Sequence, residues 1–316
     1  VKGHILGGEL SVIRNTDGEK QWQRIYHYPE MGITFFYIDL ANPEQLGKAY
    51  AVYPFLQIPL VSGKNFKLNF RGGVGLGYET KVWDRVENHK NTAMSTNFNG
   101  YVNLRINTLT NISRRIRLEA GFGLSHLSNG ALTKPNLGIN FPTLNLGMEI
   151  GTGKKMNKVR CDSISVPHKK VMEYNAGFAL GFSEVSASDD NKYHAFTLSF
   201  NLKKYFHPKA KFGGGVEFFY NGANLPYLNM DSTTGISKNA TNFLFGGKIS
   251  YDFVVEKISF PVEMGVYAYT KMKNNGPIYH RIGVRYEASK HWIAGITLKT
   301  HWAKADYFEW GFGYKF

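Results

Sequence analysis

Apolar and polar residues alternate with a period of two along much of the chain. In Phe66–Tyr78 the even positions are mostly apolar, whereas the odd positions are polar or glycine. The segments Phe98–Asn107, Ile258–Ala268 and Trp292–Trp302 follow the same rule. Such alternation is typical of β-strands that have one apolar and one polar face.

The length of these segments favours a membrane barrel over a soluble sandwich. Many of them run for roughly ten to thirteen residues, and a barrel strand needs about 9–11 residues to cross a bilayer. Aromatic residues lie near the ends of the apolar faces, as in the interfacial girdles of such barrels. The last segment, Phe308–Phe316, places an aromatic residue at every second position and resembles the C-terminal strand of bacterial outer-membrane proteins.

The alternation predicts an all-β fold, a transmembrane antiparallel up-and-down β-barrel of about fourteen strands, with twelve to sixteen allowed. Residues 1–316 form one barrel in this interpretation, with Met31–Asp39 in a long outer excursion and residues 152–170, including Cys161, as a long periplasmic connection. The predicted strands are 4–13, 49–61, 65–78, 96–107, 115–127, 140–151, 171–183, 193–205, 210–221, 242–254, 257–270, 277–288, 291–302 and 305–316.

Composition agrees with an exported membrane barrel. Among 316 residues there are 34 Gly, 23 Phe and 19 Tyr, and no run of apolar residues is long enough for a membrane-spanning helix. The chain starts at Val1 without a basic and apolar leader, so we expect the mature form of an exported protein. The single cysteine cannot form an intramolecular disulfide.

The net charge of +14 bears on the partners of the chain. No nucleic-acid-binding motif accompanies this charge, so we expect no nucleic acid partner. In an outer membrane the natural anion is the phosphorylated head group of lipid A, within lipopolysaccharide and the other outer-membrane lipids. The ten histidines show no metal-ligand spacing, so we expect no metal and no cofactor.

Three polar residues interrupt an apolar face. Even positions from Ile116 to Leu124 are apolar, and His126 and Ser128 continue the same outward face. On the next predicted strand Asn140 also points outward. A serine becomes a nucleophile when a histidine takes its proton and a third group orients the imidazole. The alternative is that His126 and Ser128 are ordinary residues of the wet interface.

The segment His126-Leu127-Ser128-Asn129-Gly130, followed by Lys134–Asn140, resembles the PagL-type lipid A 3-O-deacylase family, often labelled acyloxyacyl hydrolases. Arg71–Tyr78 and Asn97–Asn99 are also similar to that family, and the resemblance covers roughly residues 3–151. Residues 171–316 are interpreted as additional barrel strands.

The resemblance implies a catalytic role for each residue of the motif. Ser128 would be the nucleophile and His126 the general base, with Asn129 at the oxyanion position and the backbone N–H groups of Gly130 and Ala131 beside it. The family has a glutamate where this chain has Asn140. An amide oxygen can still orient the imidazole, but it supplies no charge.

These residues predict an outer-membrane serine esterase that removes an ester-linked acyl chain from lipid A. The residues expected to bind the substrate are Lys81, Arg85, Lys90, Lys134 and Asn136. Two alternatives remain at this point, a porin or transport barrel and a non-catalytic barrel subunit of an envelope complex. The predicted interior charges, which either pair with one another or line a pore, are Arg71, Arg105, Arg117, Glu119, Glu217, Glu263, Arg281 and Arg285.

Overall fold

A computed structural model describes residues 3–152, 158–159, 172–189, 191–230, 240–302 and 304–316. These residues form fifteen β-strands and two short helices, α1 (Gln21–Ile25) and α2 (Asn224–Met230). None of the helices among them is long and apolar enough to cross a membrane. Cys161 lies outside the described residues, as does most of the predicted connection 152–170.

The N-terminal half forms one compact unit built on a seven-stranded antiparallel sheet. Each strand pairs with its neighbours in chain order, and a buried cluster that includes Tyr53, Tyr101 and Leu127 packs against one face. The strands are β1 (Leu6–Asn15), β2 (Glu30–Asn42), β3 (Gly47–Ser62), β4 (Phe66–Glu79), β5 (Phe98–Asn111), β6 (Ile116–Ser128) and β7 (Ile139–Ile150).

The second compact unit is a closed eight-stranded barrel, and Gly130–Lys134 is grouped with it. Its last strand pairs with its first, from Glu309↔Gly181 to Lys315↔Asn175, which closes the ring. The strands are β8 (Met172–Ser183), β9 (Tyr193–His207), β10 (Ala210–Asn221), β11 (Phe243–Val255), β12 (Ile258–Tyr269), β13 (Ile278–Glu287), β14 (Trp292–His301) and β15 (Lys304–Lys315).

The predicted all-β antiparallel fold is confirmed, and the alternation places side chains as expected. In β12, Phe260, Val262 and Met264 are exposed while Ser259 and Glu263 are buried. A strand with apolar residues outside and charged residues inside is inverted relative to a soluble protein. This inversion is the arrangement that a lipid-facing barrel wall requires.

The strand count of fifteen lies within the predicted range, and the additional strand is β2. The prediction of an outer excursion at Met31–Asp39 is wrong, because β2 pairs with both β1 and β3. Its inward positions Phe36, Ile38 and Leu40 are apolar and buried, so the segment lacks a polar face over that stretch. Alternation also sets the faces of strands but not where a sheet closes, so it does not predict the closed barrel of the second half.

Charged side chains fill the interior of the closed barrel as ion pairs. Arg281 contacts Glu217 at 2.6 Å, Glu263 at 3.1 Å and Glu309 at 2.5 Å. Lys248 bridges Glu217 and Glu263 at 2.8 and 2.7 Å. Of the two alternatives for the predicted interior charges, pairing with one another is the one observed for Glu217, Glu263 and Arg281. A buried charge requires such partners because its desolvation is costly.

The interior of the N-terminal unit also pairs its charges. Arg105 contacts Glu9 at 2.6 Å and Glu119 at 3.3 Å. Arg117 contacts Glu30 at 2.7 Å and also pairs with Glu149. The pairs of Arg105 with Glu9 and of Arg117 with Glu30 join strands that are not neighbours in the sheet, so they hold the sheet curved from inside.

Replacing Arg281 by methionine should destabilise the closed barrel, because three buried carboxylates lose a shared cation. Breaking a buried pair costs about 3–5 kcal/mol in free energy of unfolding. Urea unfolding of the detergent-solubilised chain, followed by circular dichroism, measures the change. Lys257→Ala, at an exposed turn after β11, is the control and should leave the midpoint unchanged. Equal midpoints for Arg281→Met and the control would show that the network does not stabilise the barrel.

Candidate active site

His126 and Asn140 face each other across adjacent strands. The register of β6 and β7 pairs them directly, and directly opposed residues project on the same side of a sheet. His126 Nδ1 lies 2.7 Å from Asn140 Oδ1. An amide oxygen can only accept, so Nδ1 carries the proton and Nε2 is left as an acceptor. The predicted base and its orienting residue are therefore brought together.

Ser128 is the last residue of β6 and is covered rather than open to the outside. It has the outward parity of His126, yet only 7% of its surface is exposed. The connection between β6 and β7 turns back across it, and Asn136 Nδ2 donates to Ser128 Oγ at 2.9 Å. Ser128 therefore lies on the predicted outward face, but a returning loop covers it. The strand pattern does not predict this loop.

Gly138 makes the return of this loop possible. It has a φ of +73°, which favours glycine, and a Cβ there would lie 3.0 Å from His126 Cε1 and 3.0 Å from the Leu127 carbonyl oxygen. Two backbone hydrogen bonds hold the same loop, from Leu137 N to Thr92 O and from Gly138 N to Ala93 O. The connection between β4 and β5 therefore supports the loop that covers Ser128.

Asn129 and Asn136 interact next to the serine. The backbone N–H of Asn129 donates to Asn136 Oδ1 at 3.2 Å, so the Asn136 amide bridges this N–H and the Ser128 hydroxyl. The side chain of Asn129 turns the other way and donates to Ser95 Oγ and Thr96 Oγ1 at 3.0 and 3.1 Å. Sequence predicts Asn136 as a substrate-binding residue, and the structure places it at the candidate nucleophile.

The chain after Asn129 makes a left-handed turn. Gly130 and Ala131 both have a φ of +64°, and they pack within the second compact unit. A Cβ on Gly130 would overlap the Phe308 ring, so the tight packing there requires glycine. The oxyanion role of these two backbone N–H groups stays a prediction.

The predicted phosphate-binding residues fall into two groups. Lys81, Arg85 and Lys90 lie in the connection between β4 and β5, where Lys81 Nζ donates to the Glu44 carbonyl oxygen at 3.0 Å. Lys134 belongs to the second unit, where its backbone N–H donates to Glu184 Oε2 and its Nζ to the Val185 carbonyl oxygen, at 2.6 and 3.1 Å. Burial lowers the pKa of Lys134, and repulsion from Lys304 adds to the effect.

The described residues include no group of three or more His, Cys, Asp and Glu side chains that could hold a metal ion. The chemistry that the residues around Ser128 offer is that of a hydroxyl, an imidazole and amides. A serine, a histidine with a fixed tautomer and nearby N–H donors form the set required for nucleophilic attack on an acyl carbonyl.

Comparison with known families matches both halves of the chain. Residues 6–149 match the family described as lipid A 3-O-deacylase (PagL). Residues 172–316 match a domain described as acyloxyacyl hydrolase, C-terminal domain. The sequence motifs resemble this family over roughly residues 3–151, so the match of residues 172–316 extends the similarity to the second half. No curated protein sequence matches the chain.

Several solved structures are similar only at a low level. The KdgM porin has 7% identity and a TM-score of 0.22, with 84% of this chain and 93% of that chain covered. The translocator domain of the autotransporter NalP from Neisseria meningitidis has 10% identity and a TM-score of 0.21, with 99% and 87% covered. Scores at this level support no inference about function.

Replacing Gly138 by alanine should displace the covering loop, because the new Cβ meets His126 and the Leu127 carbonyl. We expect a loss of about 1–3 kcal/mol in the free energy of unfolding, including the cost of a positive φ. Gly276→Ala is a matched control, since Gly276 has a φ of +74° but a Cβ added there would meet nothing within 4 Å. Urea unfolding compares the two variants. An equal loss in both would mean that the contact with His126 contributes nothing.

Proposed function

We propose, since this chain belongs to the PagL-type family of lipid A deacylases of the bacterial outer membrane, that it is a serine esterase. In this proposal it removes an ester-linked acyl chain from lipid A. The observation that carries the proposal is the 2.7 Å contact between His126 Nδ1 and Asn140 Oδ1, which leaves Nε2 as a base two residues before Ser128.

The proposed reaction follows the acyl-enzyme route. His126 Nε2 takes the proton of Ser128 Oγ while Oγ forms a bond to the carbonyl carbon of the acyl ester. The tetrahedral intermediate then collapses, the bond to the sugar oxygen breaks, and His126 returns the proton to that oxygen. Water, activated by the same imidazole, releases the acyl chain from Ser128.

Two N–H donors are suited to stabilise the oxyanion. Asn136 Nδ2 lies 2.9 Å from Ser128 Oγ, and the Asn129 N–H now donates to Asn136 Oδ1 at 3.2 Å. A substrate oxygen that replaced Asn136 Oδ1 as the acceptor would receive both bonds after a small rotation of the amide. Donors placed where negative charge develops supply much of the acceleration in such reactions. The N–H groups of Gly130 and Ala131 are proposed as additional donors.

An apolar strip next to the site suits an acyl chain. On β6 and β7 the cross-strand neighbours Phe122 and Leu144 are 58% and 87% exposed, and Leu146 further along is 90% exposed. The strip continues the same outward face as His126 and Asn140. We propose that the acyl chain lies along it within the lipid layer, while Lys81, Arg85 and Lys90 bind the lipid A phosphates.

Replacing Ser128 by alanine should abolish deacylation, because the substitution removes the attacking oxygen. Mass spectrometry of lipid A from cells that express the wild type should show loss of one acyl chain, and cells that express Ser128→Ala should show the unmodified mass. Ser62→Ala, at the exposed end of β3, is the control and should behave as the wild type. Deacylation by the Ser128 variant would exclude this serine as the nucleophile.

The role of Asn140 is tested by a pair of substitutions. Asn140→Ala removes the acceptor for His126 Nδ1 and should lower kcat by roughly ten- to a hundredfold, with a smaller effect on KM. Asn140→Glu adds a charge that stabilises the imidazolium and should raise kcat by about tenfold or more. Kinetics on purified lipid A in mixed micelles measure both changes.

Asn145→Ala is the control for this pair. Asn145 lies on the same strand but on its other face, bonded to Thr143, so kcat should not change. If Asn140→Ala had the activity of the wild type, the amide would not orient the base.

A further inference from the structure

A polar cavity, partly open to solvent, lies at one mouth of the closed barrel. The ends of β8, β10 and β14, the start of β15 and helix α2 surround it, and all of its lining belongs to the second compact unit. Lys134 is predicted from sequence to bind the substrate, and none of the other lining residues has a role in the ester hydrolysis proposed above. The polar side chains that matter here are Lys134, Ser183, His301, Lys304 and Asp306.

The cavity carries an excess of positive charge. Its two carboxylates are each paired with a cation, Glu184 with Lys192 and Asp306 with Lys299. Lys134 and Lys304 have no such pair within the described part of the chain. Lys134 Nζ donates to the Val185 carbonyl oxygen, and Lys304 Nζ lies 5.8 Å from the centre of the Tyr227 ring. Neither ammonium group therefore has an ion pair of its own in that part of the chain, although Asp306 and Glu184 attract Lys134 from a greater distance.

The charges of Lys134 and Lys304 repel each other, as expected for two lysines that line the same cavity. Burial and the charge of Lys304 lower the pKa of Lys134 by more than the attraction of Asp306 and Glu184 raises it. Bringing two like charges to one partly enclosed cavity is unfavourable unless an anion compensates them. His301 does not relieve this imbalance, since its Nε2 is bonded to the Tyr267 hydroxyl at 2.9 Å and it is placed beside Lys299.

A buried hydroxyl in the same cavity also lacks a partner. Ser183 is 3% exposed, and its Oγ has no hydrogen-bond partner among the described residues. Leaving a buried donor unsatisfied has a cost that a bound acceptor oxygen would remove. The Ser183 hydroxyl without a partner and the two lysines without an ion pair thus all belong to residues that line this one cavity.

We infer that this mouth cavity is a second binding site, specific for a phosphomonoester group. Such a group carries a charge near −2 at neutral pH and three acceptor oxygens, which matches two unpaired ammonium groups and one free hydroxyl donor. Lys134 and Lys304 neutralise the charge, and Ser183 donates to a phosphate oxygen. The group could belong to a lipid head group or to a small phosphorylated molecule, because both present the same chemistry.

Isothermal titration of the full chain in zwitterionic micelles tests this site. The soluble probes are inorganic phosphate and glucosamine 1-phosphate, with glucosamine as the comparison that lacks phosphate. The lipid probe is phosphatidic acid added to the micelles, with phosphatidylcholine as its comparison. The variants are Lys134→Ala, Lys304→Ala and the double variant. Lys257→Ala with Lys290→Ala, on turns at the other end of the barrel, forms the matched control.

The expected result is binding of at least one phosphomonoester, weakened roughly tenfold by each single substitution and lost in the double variant. Ser183→Ala should weaken binding several-fold, and the control should bind as the wild type. Binding of the lipid probe alone identifies a head group, and binding of a soluble probe identifies a small ligand. No binding to the wild type, or equal affinity in the double variant, overturns the inference.

The inference does not depend on the proposed hydrolysis. Ser128→Ala should retain full phosphomonoester affinity, because Ser128 does not line the cavity. Loss of deacylation without loss of phosphate binding, or the reverse, therefore distinguishes failure of one proposal from failure of the other. Circular dichroism of each variant establishes that the barrel is folded before titration.

Discussion

Side chains alternate between the two faces of each strand, and this alternation determines where the polar and charged residues of the protein lie. Backbone N–H and C=O groups pair between strands, so a sheet can face lipid only if its outward side chains are apolar. The polar residues of a strand are then directed inward, where they must find partners. The interior ion pairs of Arg281 and Arg105 are the direct consequence.

The candidate site departs from this rule, because its polar residues lie on the outward face. His126 and Asn140 satisfy each other across the strand pair, and the loop through Asn136 covers Ser128. A charged carboxylate on an outward face is costly near lipid, and a neutral amide is less so. A neutral amide, however, supplies no charge to stabilise a developing imidazolium. Asn140 therefore suits the outward face better than a carboxylate would, but it should stabilise the transition state less.

Sequence is sufficient for the faces of the strands and for the shared face of His126 and Asn140, but not for contacts made by loops. Strands such as β12 are predictable because their alternation is regular, whereas β2 is missed because Phe36 and Ile38 are apolar and point inward. Parity alone places His126 and Asn140 on one face. The loop that covers Ser128 and the place of Lys134 in the second unit depend on the path of the connection between β6 and β7. The alternation of apolar and polar residues does not predict that path.

Labelling with a serine-reactive phosphonate ester tests whether Ser128 is the nucleophile, because it reports nucleophilicity at one atom without lipid A. The purified chain in detergent is incubated with the reagent, and intact mass followed by peptide mapping locates the adduct. We expect one adduct per chain, on Ser128. An unlabelled chain, or an adduct confined to another serine, would contradict it.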